Sequence, residues 1–432
     1  MKKIYAFLLL LMAVGANGQS FYFPPTSGTA WDTMAPSDLG WCQPRIDSLY
    51  NYLQATHASG FIILKDGKIV LEKYFGTFTQ DSIHQWASAG KSLTSTLTCI
   101  AQQRGLFHIN DTVSNILGDG WTSCDTMQER QITIRHLLTM TSGLNDNPTG
   151  GCANTDVTPA CLQYLVPPYT RWAYHTGAYR KQEDVIATAA GVSYNSFTRN
   201  LLGNLIGMNG LWVNYEYYSV VRDAARFGLF ILAHGVWAND TILTDTAYYN
   251  AMRNTSQNFN LSYGYLWWLN GKATYMAPGL QTVFTGPLVA NAPADMFAAL
   301  GKNDQKIYIV PSQNMVVVRM GNSAYGVADA FSPFDNELWG YIDSLGCTET
   351  SVPENTGYEN NISIYPNPTN SKITITSSLP VTRISITNML GKEVFGAKEH
   401  TGPVDLSNFA AGVYFITIET NNGRMVRKII RE

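Results

Sequence analysis

Runs of apolar residues predict a sheet at both ends of the first 348 residues, with helices between them. Two such runs flank Asp66 and Gly67, a dipeptide typical of a tight β-hairpin. Residues 88–260 have mainly helical patterns, and later strands are expected at 296–300, 306–310 and 315–320, before a helix at 334–345. Strands at both ends with inserted helices predict an α+β fold with a cleft between its sheet and helical parts.

The composition changes after residue 348. Residues 349–361 are rich in Thr, Ser, Pro, Glu, Asn and Gly, which is typical of a linker. Apolar and polar residues then alternate with period two near 362–365, 372–376, 383–387 and 413–418, with turn residues between them. The segment 362–432 is therefore predicted to be a small all-β sandwich.

The first eighteen residues have the pattern of a secretory signal peptide. Lys2 and Lys3 precede an uncharged apolar run at 4–14, and Ala16 and Gly18 are small residues at the positions required for cleavage before Gln19. A buried N-terminal helix is the alternative. The run is too short to span a bilayer, and no later stretch has eighteen apolar residues, so no transmembrane segment is expected in the mature chain.

Length and charge limit the classes of function. The chain has 432 residues, which suggests two or three folding units. Its formal net charge is −3, so it lacks the basic excess that a nucleic-acid partner requires. No His-x-His, His-Glu-x-x-His or Cys-x-x-Cys spacing occurs, and no phosphate-binding Gly-rich loop is present. We therefore expect neither a metal nor another cofactor.

Six cysteines in an exported chain suggest disulfides. Cys152 and Cys161 bracket a short polar loop that a bridge could close. Cys42 and Cys347 lie near the two ends of the first unit, and a bridge between them would join those ends. The sequence alone does not select among the pairings, and the partners of Cys99 and Cys124 stay open.

Ser88 and Lys91 are the first candidates for chemistry. They stand three residues apart at the predicted start of a helix and therefore share one face. Burial and the helix field both favour an uncharged Lys91 amine, which can accept the Ser88 proton. Because Ser-x-x-Lys also arises by chance, an N-cap serine beside a solvated lysine is the alternative.

Further motifs make the chain similar to a family of serine hydrolases. This family comprises class C β-lactamases, D-Ala-D-Ala peptidases, esterases and 6-aminohexanoate-dimer hydrolases, and the resemblance covers about residues 40–345. It implies a β-lactamase/transpeptidase-like fold, with an antiparallel sheet and an inserted helical subdomain. The motifs that carry it are Trp-Ala-Ser-Ala-Gly-Lys-Ser at 86–92, Ile-Thr-Ile-Arg-His-Leu-Leu-Thr-Met-Thr-Ser-Gly-Leu at 132–144, Tyr-His-Thr-Gly at 174–177, and the segments 222–228 and 263–268.

The resemblance implies roles for individual residues. Ser88 would be the nucleophile, Lys91 its base, and Tyr174 the phenol that relays the proton to the leaving group. Gly301 would let the backbone approach the substrate, and the Lys302 N–H would be the second oxyanion donor. His175 and Trp268 are further candidates for substrate contact, Trp268 in an apolar pocket. Ala299 stands where a lactamase has lysine, which favours an acyl substrate without the usual carboxylate.

The last seventy residues resemble the C-terminal sorting domain of type IX secretion cargo. The similarity lies in the segments 364–368, 391–394, 406–407, 412–414 and 427–429. It implies that the secretion machinery is a partner, and that the chain is exported through the periplasm and outer membrane to be released or held at the cell surface. An ordinary carbohydrate-binding or spacer module is the alternative.

Together these features predict a secreted Ser/Lys/Tyr hydrolase in residues 19–348. Its substrate would be a small ester or amide, cleaved through an acyl-enzyme without a cofactor. One alternative is a β-lactamase or D-Ala-D-Ala peptidase acting on cell-wall material. The other is a catalytically inactive binding scaffold that keeps the fold and the pocket.

Overall fold

The computed structural model describes residues 21–326, 330–347, 362–389, 391–399, 402–421 and 423–432. The predicted signal peptide at 1–18 and the linker at 349–361 lie outside these residues. Contacts divide the chain into two compact units, residues 1–347 and 348–432. Each unit is described separately below.

The helices and strands of the first unit have the following bounds. The helices are α1 Gln43–Ala55, α2 Gly90–Gln103, α3 Ser114–Leu117, α4 Thr126–Glu129, α5 Ile134–Leu138, α6 Thr176–Ala190, α7 Tyr194–Thr198, α8 Asn204–Ile206, α9 Val221–Leu232, α10 Thr246–Met252 and α11 Pro333–Asp343. The strands are β1 Ala58–Lys65, β2 Lys68–Tyr74, β3 Ile83–Gln85, β4 Leu211–Val213, β5 Glu216–Val220, β6 Val236–Trp237, β7 Asp240–Thr241, β8 Trp268–Leu269, β9 Thr274–Met276, β10 Val283–Thr285, β11 Phe297–Gly301, β12 Gln305–Val310 and β13 Met315–Gly321.

A six-stranded antiparallel sheet forms the centre of this unit. Its strand order is β2-β1-β13-β12-β11-β8, so the first hairpin pairs with the last three long strands. The predicted hairpin is present: Lys65 pairs with Lys68, and Asp66 and Gly67 both have positive φ, as a two-residue turn requires. The α+β class is thus confirmed.

Helices cover the sheet. Helix α9 packs on β13, β12 and β1, while α1 contacts both β1 and α11. Gly228 on α9 allows the close approach, because a Cβ there would lie 2.5 Å from Val316 Cγ1. Strand residues alternate in character: Ile307 lies next to Gly228, whereas its neighbours Lys306 and Tyr308 bond to Asp335 of α11. The sheet is therefore buried between helical layers.

Two disulfides stabilise the first unit, and both agree with the pairings suggested from sequence. Cys42 bonds Cys347 across 305 residues, and Cys152 bonds Cys161 across nine. The Asp156 carboxylate lies close to the second pair, but bonded sulfurs offer no thiolate to a metal. Cys99 and Cys124 are free thiols, and burial raises the pKa of Cys99 to about 12.

The second unit is all-β, as predicted. Two antiparallel sheets share one apolar core in which Ile373, Ile384 and Ile416 are fully buried. The strands not anticipated from sequence are β17, β18 and β20, whose alternation is less regular. The strands are β14 Ile362–Tyr365, β15 Lys372–Ser377, β16 Val381–Asn388, β17 Glu393–Lys398, β18 Gly402–Asp405, β19 Gly412–Thr420 and β20 Gly423–Arg431.

Candidate active site

Two hydrogen bonds of Trp86 fix the segment that carries Ser88. The Trp86 backbone N–H donates to the Tyr217 carbonyl and its indole N–H to Ser219 Oγ, each at 2.8 Å. Ala87 follows with φ of 48°, a backbone conformation that is strained for a residue with a Cβ. Ser88 then lies in one 3₁₀ turn, Ala87–Ala89, and α2 begins at Gly90. The helix therefore starts two residues later than the sequence pattern predicts.

Ser88 and Lys91 are in direct contact. Lys91 Nζ lies 2.8 Å from Ser88 Oγ, which is hydrogen-bond distance. Ser88 is partly exposed, whereas Lys91 is only 2% exposed. The three-residue spacing thus places a buried amine beneath an accessible hydroxyl.

The surroundings of Lys91 disfavour its charge. Burial lowers the pKa of Lys91 well below its ordinary value, and the positive charges of Arg180 and Lys302 act in the same direction. Glu216 and Glu183 oppose this shift. The amine is therefore disposed to be neutral, and a neutral amine can accept the Ser88 proton.

Tyr174 lies beside the same amine. Lys91 Nζ is 4.8 Å from the centre of the Tyr174 ring. The Tyr174 hydroxyl is buried and has no hydrogen-bond partner among the described residues. Burial raises the pKa of Tyr174, and the neighbouring Ser88 hydroxyl opposes part of that rise. Tyr174 is therefore a neutral phenol at physiological pH, able to donate a proton.

Gly301 brings the end of β11 against the Ser88 turn. A Cβ at Gly301 would lie 2.5 Å from the Trp86 carbonyl oxygen and 3.1 Å from the Ser88 nitrogen. Only a residue without a side chain permits this approach. Lys302 follows at the cleft, and Ala299 is fully buried in β11, so the strand supplies no lysine at that position.

A small cleft of about 180 Å³ opens over these groups. A larger hollow of about 330 Å³ elsewhere on the unit, lined by Asp223 and Arg226, contains none of them. The residues that line the cleft are Ala87, Ser88, Thr155, Tyr174, Thr176, Arg180, Glu216, Pro278, Lys302 and Ala330.

His175 and Trp268 are not among the residues that line the cleft. His175 is 1% exposed and caps α6, since its Nδ1 accepts the Ala178 N–H; burial lowers the pKa of His175 to about 4. Trp268 is also buried, and its ring stacks on Tyr174 with centroids 5.9 Å apart. Both residues are therefore buried behind the residues that line the cleft, and the substrate contact expected from sequence stays a prediction.

The sequence analysis missed the charged residues of the wall. Arg180 and Glu216 line the cleft and form an ion pair of 3.5 Å, and Glu183 is buried near Lys91. Thr176, Arg180 and Glu183 stand at positions i, i+4 and i+7 of α6. That helical period after the Tyr-His-Thr-Gly motif is a signal that could have found Arg180 and Glu183.

Comparison with known proteins agrees with this geometry. The family model "Beta-lactamase" matches residues 47–338. The chain belongs to the β-lactamase family. The match covers the sheet, the inserted helices and the whole candidate site.

The β-lactamase-family domain is also similar to individual proteins. It is 28% identical over 189 residues to a Bacillus subtilis (strain 168) protein described as the penicillin-binding protein PbpX. The match covers 40% of this chain and 46% of that protein. The chain thus spans about half the length of that curated relative.

Solved structures share the fold at low sequence identity. A Bacillus anthracis protein described as a 6-aminohexanoate-dimer hydrolase superposes with a TM-score of 0.57 at 17% identity, covering 75% of this chain and 89% of that one. A family VIII carboxylesterase gives a TM-score of 0.54 at 12% identity, covering 71% and 99%. At these identities the similarity shows the fold alone.

The second unit matches a different family model. "Secretion system C-terminal sorting domain" matches residues 363–432, which confirms the resemblance to type IX secretion cargo. This domain indicates export to the cell surface or the medium, with the type IX machinery as a partner. Every helix in the described part of the chain is too short or too polar to cross a bilayer.

Proposed function

We propose that this β-lactamase-family protein is a secreted serine hydrolase that cleaves an ester or amide bond through an acyl-enzyme. The observation that carries the proposal is the 2.8 Å contact between Ser88 Oγ, which lines a cleft, and the buried Lys91 amine behind it. In this arrangement the base is in place before the substrate binds.

Acylation begins with transfer of the Ser88 proton to Lys91 Nζ. The Ser88 oxygen then attacks the substrate carbonyl carbon, and the carbonyl oxygen takes the negative charge. The N–H groups of Ser88 and Lys302 are the proposed donors to this oxyanion. The close approach of Gly301 to the Ser88 nitrogen supports that pairing.

Collapse of the intermediate needs a proton on the leaving group. We assign this proton to Tyr174, whose neutral hydroxyl is buried beside Ser88 and whose ring lies near Lys91. The proton held by Lys91 then restores the phenol. In deacylation, water gives its proton to the Lys91 amine and attacks the acyl carbon, and Ser88 leaves with a proton returned from Lys91.

The size of the cleft favours a small acyl group. About 180 Å³ accommodates a short chain or a compact ring rather than a polymer. Buried Trp172, Tyr263 and Trp268 surround the Tyr174 ring and keep it in position. These aromatic residues therefore order the proton donor rather than contact the acyl group.

A second candidate is a β-lactamase or D-Ala-D-Ala peptidase, both of which act on carboxylate-bearing substrates. Arg180 and Lys302 favour it, since they place two cations at the cleft although Ala299 supplies none. Hydrolysis of p-nitrophenyl esters measured beside nitrocefin separates the two: preference for the ester supports the first candidate and preference for nitrocefin the second.

The decisive experiment is Ser88→Ala with mass spectrometry of the intact protein. A fluorophosphonate probe should add to the wild type and not to the variant, and ester turnover should disappear. Lack of labelling in the wild type would favour the inactive scaffold. Unchanged turnover in Ser88→Ala would overturn the proposed nucleophile.

Export by this route implies that both ends of the chain are cleaved. We propose cleavage before Gln19 and a mature enzyme that comprises residues 19–348, with the linker at 349–361 and the sorting domain at 362–432 removed after export. Intact mass of the protein released by the native cell tests both ends. A released protein that retains 362–432 would contradict removal of the tail.

A further inference from the structure

Glu183 is a buried carboxyl that the mechanism above does not use. It lies on α6, is 4% exposed, and does not line the cleft. Its Oε1 has no hydrogen-bond partner among the described residues. A buried carboxyl oxygen without a partner is costly, which raises the question of what its charge stabilises.

Helix α6, which carries Glu183, packs against α2, which carries Lys91. Lys91 Nζ lies 4.1 Å from the centre of the Tyr179 ring, and Tyr179 and Glu183 are one helical turn apart on the same face of α6. Gln182 also reaches across to α2, donating to Thr98 Oγ1 at 3.1 Å. The interface between these two helices therefore contains buried polar side chains, including Lys91.

The charges around Lys91 are unbalanced without Glu183. Burial and two cations lower the pKa of Lys91, and an amine whose pKa is too low is a poor acceptor for a serine proton. Of the two opposing carboxylates, Glu216 already bonds Arg180 and Gln85. The titratable groups that act on Lys91 or lie against its ring-lined pocket are Tyr174, Tyr179, Arg180, Glu183, Glu216 and Lys302.

Glu183 responds to the same neighbours. Burial raises the pKa of Glu183 well above its ordinary value and Asp184 adds to this, while Arg180 and Lys91 pull it down. Burial thus favours a protonated Glu183 beside a neutral Lys91, whereas the ammonium form of Lys91 and the carboxylate form of Glu183 stabilise each other. This mutual effect is available because Glu183 Oε1 is committed to no other donor.

We propose that Glu183 is a positioning residue whose carboxylate stabilises the ammonium formed when Lys91 takes the Ser88 proton. The proposal deepens the function given above and depends on the role of Lys91 as the base. Glu183 acts through Lys91 and contacts no substrate.

The test replaces Glu183 by Gln in the full chain and follows Lys91 directly. The ¹³Cε shift of Lys91, assigned against Lys91→Met in lysine-labelled protein, reports its titration. We expect Glu183→Gln to lower the Lys91 titration midpoint by about one pH unit, a tenfold change in proton affinity. The acid limb of kcat/KM should move down with it, and kcat should fall about tenfold while KM is unchanged.

Two variants make the result specific. Asp119→Asn removes an exposed carboxylate that pairs with Arg130 on the surface, so it changes the net charge equally and should leave Lys91 unaffected. Glu183→Asp restores a carboxylate and should recover part of the shift. If Glu183→Gln does not fold, Glu183→Asp replaces it in the test. The shorter side chain should then lower the Lys91 titration midpoint relative to the wild type, by less than complete loss of the carboxylate would.

The outcomes separate this proposal from the proposed function. An unmoved Lys91 titration in folded Glu183→Gln, or an equal shift in Asp119→Asn, overturns the role of Glu183. A lowered Lys91 midpoint with an unmoved acid limb supports the coupling but overturns Lys91 as the base. Parallel shifts of both support the two proposals together.

Discussion

Arg180 and Glu216 form an ion pair of 3.5 Å in the wall of the cleft beside Ser88. Their charges act on the pKa of Lys91 in opposite directions: Arg180 lowers it and Glu216 raises it. The charged residues of the cleft wall therefore influence the pKa of Lys91 as well as forming part of the binding surface.

Replacing Arg180 by Met should shift the acid limb of kcat/KM to higher pH. The substitution removes a positive charge and releases Glu216, and both changes raise the pKa of Lys91. Because only the neutral amine accepts the Ser88 proton, activity would then appear at a higher pH, by up to about one unit. The pH profile of ester hydrolysis measures this.

Arg130→Met is the matched control for that experiment. Arg130 is exposed and pairs with Asp119 on the surface, so its loss changes the net charge equally and should leave the profile unchanged. A shift of the Arg180→Met profile to lower pH would contradict the sign of the interaction.

Replacing Lys91 by Met should separate activity from stability. We expect kcat to fall by about 10²–10⁴-fold, because the general base is lost. The thermal midpoint should hold or rise, since an apolar side chain of similar length avoids the cost of burying an amine. Hydrolysis of p-nitrophenyl acetate and a thermal unfolding curve test the two parts. Retained turnover would exclude Lys91 as the base.

The parts of the site that the sequence predicted are those set by local geometry. Ser88 and Lys91 are three residues apart at one helix start, and that spacing alone brings their side chains to one face. The Asp66-Gly67 hairpin is equally local. Tyr174 is different: the chain has 24 tyrosines, and only the family motif singled this one out.

The parts that the sequence did not predict depend on tertiary packing. Arg180 and Glu183 follow the helical period of α6, but the rotation of α6 against α2 decides that they face Lys91. Glu216 comes from a distant strand. His175 and Trp268 lie within recognised motifs, yet neighbouring residues of one motif can lie on opposite sides of the cleft wall, and both fall on the buried side.

Gly301→Ala should damage both activity and stability. The new Cβ would meet the Trp86 carbonyl oxygen at 2.5 Å, so β11 must move away from the Ser88 turn. We expect a loss of about 1–3 kcal/mol in unfolding free energy and a fall in kcat, because the proposed oxyanion donors separate. Gly346→Ala, where no atom lies within 4 Å of the added Cβ, is the control. Equal behaviour of the two variants would contradict a close approach at Gly301.

Removing the Cys42–Cys347 bridge should destabilise the first unit more than removing Cys152–Cys161. The bridges span 305 and nine residues, and a cross-link restricts the unfolded chain more when its loop is longer. We expect the double serine variant at 42 and 347 to lose about 3–5 kcal/mol, and the variant at 152 and 161 roughly half of that. All ten tryptophans lie between residues 31 and 339, so tryptophan fluorescence during urea unfolding follows this unit without contribution from the sorting domain. An equal or reversed order of losses would show that native contacts near each bridge, rather than loop length, determine its contribution.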